Sequence, residues 1–349
     1  MIAPLPTNCG DACRAQALRD LNDLDALAHD PRTIDLIRSG RTMGCFYIES
    51  PAMRSLLKRL DCSTYEMVVA ASSIIRPGVA ESGMMQAFIE RHFDPSKIEY
   101  AHPALEETLY ETYGVMIYQE DVLRVACRVG GLTLGEADLL RRAISAKGRG
   151  KETMDRLTAK FFASCRRGGI AEETAAEIWR QIASFASYSF CKGHSAAFAV
   201  LSFQCAYIKA RWPAEFLASV LNNGGGFYGP AAYIQEARRF GLRVLGPDVN
   251  RSERRYTGDS AEGWLRVGLK AIRGMTRERT EPIVRARRER PYAGLEDFLA
   301  RSGAGQEEAR TLILAGALDC FGQTRPQLSL DLDLCFGQRP AAGQPEMFA

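Results

Sequence analysis

A lysine, a histidine and a serine stand close together in Phe190-Cys191-Lys192-Gly193-His194-Ser195-Ala196-Ala197, where an apolar helix begins. The free amides of a helix N-terminus, its partial positive charge and the Lys192 ammonium together suit a phosphate group. The same residues have a plainer use, with Ser195 as N-cap and His194 as a locally satisfied histidine, and spacing alone favours it. A second group is Leu139-Leu140-Arg141-Arg142-Ala143-Ile144-Ser145-Ala146-Lys147. Adjacent arginines on a helix can clamp polyphosphate oxygens in bidentate fashion. The alternative is a solvated charged face.

The third group is defined by charge. The whole chain of 349 residues carries only +3, yet residues 264–290 hold nine Lys/Arg and three Asp/Glu, a local +6. A basic surface inside a near-neutral protein implies a directed anionic partner. Gly274 and Gly316 each fall in a tight turn between helical patterns, where backbone amides can approach DNA phosphates with no side chain in the way. An ordinary helical hairpin is the competing account. The fourth group is a pair of glutamine-led apolar motifs, Gln327-Leu328-Ser329-Leu330-Asp331-Leu332 and Gln344-Pro345-Glu346-Met347-Phe348, either of which could dock in a partner's groove. For the first, Leu328, Leu330 and Leu332 alternating into the core at the end of a domain is the simpler expectation.

These groups must be positioned by a mainly α architecture. Residues 30–223 are dominantly helical. Thr133-Leu134-Gly135-Glu136 is a capping box, and the helix it starts places Ala137, Leu140 and Ile144 on one face. A helix is expected over 172–186. Another starts near His194, apolar on nearly all sides and therefore buried, and Trp212-Pro213 ends it. The run Asn222-Asn223-Gly224-Gly225-Gly226 breaks the pattern. Beyond it come a helix over 231–240, a strand over 242–245, a strand over 264–269 and a hairpin at Ile272-Arg273-Gly274-Met275. Pro282 restricts the basic helix that follows to a start at Thr280. The first 29 residues read as a connector, and the Gly/Pro/Gln-rich tail as flexible.

Composition narrows the function classes. Hydrophobic residues make up 46%, enough for a sizeable core. Ten scattered cysteines include no CxxC and do not cluster with the four histidines, which argues against a disulfide framework or zinc site and for reduced thiols. No signal peptide opens the chain, and the longest apolar run, 196–210, is too short to span a bilayer, so a cytoplasmic protein is expected. Asp23-Leu24-Asp25 and Asp331-Leu332-Asp333 have D-x-D form but lack the surrounding sequence of a metal site.

In this order the motifs resemble the alpha subunit of bacterial DNA polymerase III, the C-family polymerases. The likeness is carried by Gly44-Cys45-Phe46-Tyr47-Ile48-Glu49-Ser50, Arg76-Pro77-Gly78, Tyr118-Gln119-Glu120, 134–143, 185–199, Pro247-Asp248-Val249-Asn250 and Gly268-Leu269-Lys270-Ala271-Ile272, and covers about residues 30–322. The resemblance implies a multi-helix fingers domain over 30–245. A tandem helix-hairpin-helix DNA-binding domain with short strands follows over 246–322, and a tail over 323–349. It implies that Arg76, Arg141, Arg142, Lys147, Lys192, His194 and Ser195 surround the triphosphate and sugar of an incoming dNTP. Lys270, Arg273, Gly274, Arg277 and Gly316 would hold primer-template DNA, and Gln344, Met347 and Phe348 a sliding clamp.

The chain departs from the family pattern at Gly193, where Ser is usual, and at Cys191, where Asn is usual. The N-terminal phosphoesterase-like domain and the palm whose aspartates hold Mg2+ are not in this sequence, so no cofactor is expected on this chain itself. It reads as part of a DNA-directed DNA polymerase, a nucleotidyltransferase, inactive without a palm-containing partner fragment. The alternatives are a non-catalytic DNA- and clamp-binding module and an unrelated phosphate-binding enzyme.

Overall fold

The computed structural model describes residues 19–75, 83–145, 151–185 and 191–337. By packing, the chain forms two compact units, one spanning Leu18–Ala210 and the other containing the residues from Arg211 onward. The break falls earlier than the expected division at 245. Residues 211–245 group with the second unit because their helices pack on its small sheet.

The first unit is helical. Its helices are α1 (Leu24–Ala28), α2 (Pro31–Arg38), α3 (Pro51–Arg59), α4 (Tyr65–Ile74), α5 (Met84–Phe93), α6 (Glu106–Leu109), α7 (Gln119–Arg128), α8 (Leu134–Ser145), α9 (Lys151–Arg167), α10 (Glu172–Phe185) and α11 (Lys192–Arg211). Side-chain caps set several starts: Asp30 accepts from the Thr33 amide, Ser50 from Met53 and Thr64 from Met67, and Pro31 and Pro51 occupy first-turn positions. Residues 19–29 are more than a connector. Asp23 caps α1 by accepting from the amides of Asp25 and Ala26, both at 3.1 Å, and Leu21 and Leu27 are buried.

Helix α11 is the axis of this unit. Ala199, Ser202, Phe203, Ala206, Tyr207 and Ile208 are all buried, as its all-round apolar sequence requires. It begins at Lys192, two residues before the expected start at His194. Lys209 lies in the same helix, fully buried, and its Nζ donates to the carbonyls of Arg41 and Met43 at 2.7 Å each. A buried ammonium is tolerated only when its donors are matched. Here it ties down the loop 40–48, whose course needs positive φ at Gly40, Gly44 and Tyr47.

The second unit opens with α12 (Pro213–Asn223) and α13 (Pro230–Arg239) against a three-stranded sheet. Strands β1 (Arg243–Leu245) and β2 (Thr257–Asp259) flank β3 (Trp264–Arg266); β1 runs parallel to β3 with Val244 opposite Leu265, and β2 antiparallel with Gly258 opposite Leu265. At Gly258 a Cβ would lie 2.5 Å from the Ala214 backbone, so glycine lets α12 settle on the strand. Strand β3 stops at Arg266, short of the expected 269. Next to it Gly268 approaches the Arg255 backbone so closely that a Cβ would sit 2.2 Å from its carbonyl carbon.

Four helices complete the unit: α14 (Arg277–Arg287), α15 (Leu295–Ser302), α16 (Gln306–Leu314) and α17 (Arg325–Gly337). Val249, Leu269, Ile283, Phe298, Leu312 and Leu328 form the centre of their core. Two local expectations are corrected. Helix α14 starts at Arg277, so Pro282 lies inside it. The Thr280 amide and hydroxyl both donate to the Thr276 carbonyl, so the first turn is set before Pro282 removes one bond. Residues 328–332 do not alternate like a strand: on α17, Leu328 and Leu332 are buried one turn apart while Leu330 is 62% exposed.

Replacing Lys209 with methionine removes the hydrogen bonds to the Arg41 and Met43 carbonyls. Lys209→Met is expected to destabilise the protein by about 2–4 kcal/mol, read as a lower urea midpoint for the first unit.

Candidate functional site

The N-terminus of α11 already holds an anion, and that anion belongs to the protein. The Lys192 amide donates to both carboxylate oxygens of Glu120, at 3.2 and 3.0 Å, and the Cys191 thiol donates to the same group at 3.2 Å. The amides of His194 and Ser195 are taken by the Cys191 carbonyl. The Lys192 ammonium pairs with Glu111 at 2.6 Å and sits 5.2 Å from the centre of the Tyr118 ring. A carboxylate has the charge and the paired oxygens of a phosphate edge, and the positive end of this helix accepts it for the same reason.

Ser195 is neither N-cap nor surface group. It is fully buried, three residues inside the helix, and its hydroxyl shares a 2.8 Å hydrogen bond with Ser73 of α4. His194 is exposed and lies 6.3 Å from Phe198, ring over ring.

Arg141 and Arg142 stand on α8, whose first turn is fixed by the expected capping box. The Glu136 amide donates to the Thr133 hydroxyl at 3.3 Å, and the Thr133 amide returns to Glu136 at 2.9 Å. Both arginines converge on Asp138, Arg141 through Nε and Nη2 (3.0 and 2.7 Å) and Arg142 through Nε (2.8 Å). Both side chains are thus paired with a carboxylate of their own helix. Arg76 and Lys147 lie outside the described residues.

Helices α7 and α8 are joined by a short connection and pack on each other. Lys192 opens into a cavity of about 340 Å³ whose walls include Tyr65, Phe88, Tyr110, Glu111 and Tyr118; neither Arg141 nor Arg142 lines it. The sequence reading missed these aromatic walls. They come from three separate segments, and 103–118 is a series of single turns with no helical or strand period to betray a shared face.

Two groups at this end titrate abnormally. Burial pushes the Asp121 carboxyl up to about 6, although the amides of Ile117 and Tyr118 donate to it at 3.0 and 2.9 Å. Burial also raises the Tyr118 phenol, with Asp121 and Glu111 adding to the shift, so it remains a hydrogen-bond donor.

In the second unit, Gly274 and Gly316 occupy the two expected turns, at φ +83° and +80°. The turns differ. Nothing lies within 4 Å of a Cβ placed on Gly274, so its backbone faces open space. At Gly316 a Cβ would meet the Arg325 guanidinium at 2.2 Å, and Arg325 is itself held by Asp319 at 2.7 Å. Lys270 and Arg273 are exposed and have no ion-pair partner among the described residues, while Arg277 has a loose one in Glu281 at 3.7 Å. Asp331 and Asp333 are occupied on α17, with Gln323 and with Gln306 and Arg310. Gln344, Met347 and Phe348 lie outside the described residues.

The second unit, with paired turns between short helices, defines a helix-hairpin-helix protein, and a helix-hairpin-helix motif model matches residues 241–328. The model of the bacterial DNA polymerase III alpha subunit finger domain matches residues 12–169. The chain belongs to the bacterial DNA polymerase III alpha subunit family. It is similar to DNA polymerase III subunit alpha of Bacillus subtilis (strain 168), 37% identical over 317 residues that cover 89% of this chain and 28% of that protein. It is also similar to that of Aquifex aeolicus (strain VF5), 36% identical, covering 88% of this chain and 27% of that protein. The chain thus spans little more than a quarter of the curated relatives it matches. Among the described residues no helix is long and apolar enough to cross a membrane.

The capping box of α8 gives a pH signature. Glu136 accepts from the Lys160 ammonium and from Thr133, which holds it down at about 2 against an ordinary 4.5. A depressed carboxylate contributes stability that is full above its unfolded value and lost as pH falls through its folded value. The melting-temperature gap between wild type and Glu136→Gln is expected to be constant above pH 4.5 and to close between 4.5 and 2. A gap independent of pH would show that Glu136 contributes no charge-dependent stability.

Proposed function

We propose that this chain supplies the nucleotide-facing fingers and the duplex-holding helix-hairpin-helix unit of a DNA-directed DNA polymerase active in replication. The supporting observation is the match to both parts of the family in their order, together with the open Gly274 turn flanked by unpaired Lys270 and Arg273. In this reading the Gly274 amide side and the neighbouring cations grip backbone phosphates of primer-template DNA without reading sequence. Arg277, loosely paired, can join them. Gly316 acts differently, shaping its turn so that Arg325 can pack across it.

On the fingers, Lys192, Arg141 and Arg142 neutralise the triphosphate of the incoming dNTP, with Arg76 and Lys147 completing the set. His194 is exposed two residues from Lys192 on α11; Ser195, being buried, supports α11 instead. Each described cation would exchange a protein carboxylate for a phosphate oxygen: Lys192 leaves Glu111, and the two arginines leave Asp138. Magnesium held by palm aspartates of a partner fragment would supply charge stabilisation for phosphoryl transfer. Among the described residues no three His, Cys, Asp or Glu side chains gather as a metal site. The tail residues Gln344, Met347 and Phe348 would dock a sliding clamp, and the protein would work in the cytoplasm.

Adding a palm-containing fragment is expected to give primer extension that neither part shows alone. DNA binding by this chain with no extension would leave the accessory-module reading in its place. Arg273→Ala/Arg277→Ala is expected to reduce the steepness of log affinity against log salt by about 1.8, the share of two phosphates; an unchanged slope would remove the first hairpin from the DNA interface.

The exchange of partners at Lys192 makes a separate prediction. An exposed ion pair is worth up to about 1 kcal/mol, so Glu111→Gln should tighten dNTP binding by up to about fivefold. Lys192→Ala should weaken it. Equal affinity in wild type and both variants would take Lys192 out of the nucleotide site.

A further inference from the structure

Between the end of α12 and the first hairpin, the second unit has a small cleft that reaches from Lys270 to two further arginines. It encloses about 160 Å³ and its walls include Leu221, Asn222, Arg254, Arg255, Tyr256 and Lys270. Three of these six are cations, and none of the three makes an ion pair or side-chain hydrogen bond with a described residue. The acids nearby are committed elsewhere. Glu253 pairs with Arg287 at 2.6 Å, and Asp248 accepts from the Asn250 amide at 2.8 Å and faces Arg251 at 3.9 Å.

The cleft is held by backbone. Leu269 and Lys270 donate their amides to the carbonyls of Glu253 and Arg254, at 3.0 and 2.9 Å. The Asn222 side chain clamps Tyr256 from α12, accepting from its amide and donating to its carbonyl, both at 2.8 Å. Gly268 permits the close approach, since a Cβ there would lie 2.2 Å from the Arg255 carbonyl carbon. Like charges are thus gathered with no internal counter-ion, an arrangement that costs free energy until an anion arrives. Whole small-molecule ligands usually need about 300 Å³ or more. This cleft is smaller, with room for a single phosphate group.

We propose that this cleft binds a phosphate group of the nucleic-acid backbone, adding an anchoring point beside the Gly274 hairpin. The proposal rests on the duplex-holding role argued above for the second unit. The same chemistry could be met by free phosphates, so the test separates the two sources.

In the full chain, Arg254→Ala/Arg255→Ala is compared with wild type by anisotropy of a labelled primer-template across a salt series. The expected result is a slope shallower by about 0.9 and an affinity weaker by roughly tenfold, one phosphate's share. Arg254→Lys/Arg255→Lys, which keeps the charges, should retain most of both. Calorimetry with inorganic pyrophosphate supplies the second arm. If the alanine variant loses pyrophosphate binding but holds DNA unchanged, the cleft takes free phosphates and the backbone assignment is overturned. If it changes neither, the cleft is no phosphate site. If wild type binds pyrophosphate through these arginines yet binds no DNA, the duplex role fails while the phosphate chemistry stands. Melting curves for each variant confirm an intact fold.

Discussion

Cations without internal partners are what an anionic ligand can use, and their distribution divides this protein. In the first unit Lys192 is already neutralised by Glu111, and Arg141 and Arg142 by Asp138. In the second unit Lys270, Arg273, Arg254 and Arg255 are left unmatched among the described residues. The physics of the two arrangements differs. A paired cation gives up a charge-assisted contact before it gains another, so the net gain is small and the ligand must offer several contacts at once. An unpaired cation gains in full, with a strong dependence on salt.

Much of this was legible in the chain. The capping box at Thr133 and Glu136, the breaks at Pro213 and after Asn223, and the turns at Gly274 and Gly316 follow from local stereochemistry, which a short window of sequence contains. The partner of the two arginines was not legible, since Asp138 lies three residues from Arg141 on the same helix and looks from sequence like any surface acid. Ser195 shows the opposite failure. A serine near a helix start suggests capping, but its burial depends on α4, 122 residues away in sequence. The tyrosine walls beside Lys192 come from three segments and leave no periodic trace. Pro282 was misjudged because the turn from Thr276 to Thr280 is set ahead of it, and the leucines of α17 because a helix, not a strand, buries Leu328 and Leu332.

The two glycine turns also separate roles that one motif would merge. Both need positive φ, and the sequence gives them equal standing. Only the surroundings distinguish a bare turn at Gly274 from one roofed by Arg325 at Gly316. A glycine kept for backbone exposure and a glycine kept for close packing respond to substitution for different reasons, the first through access and strain, the second through collision.

The buried Lys209 has a consequence for how the chain is made. Its ammonium closes a contact with the Arg41 carbonyl across 168 residues of sequence. During synthesis the 40–48 loop is therefore waiting for a helix that leaves the ribosome long after it. Until α11 arrives, the earlier helices have neither their central packing partner nor the lock on that loop. The first unit is therefore complete only when its last helix has been made.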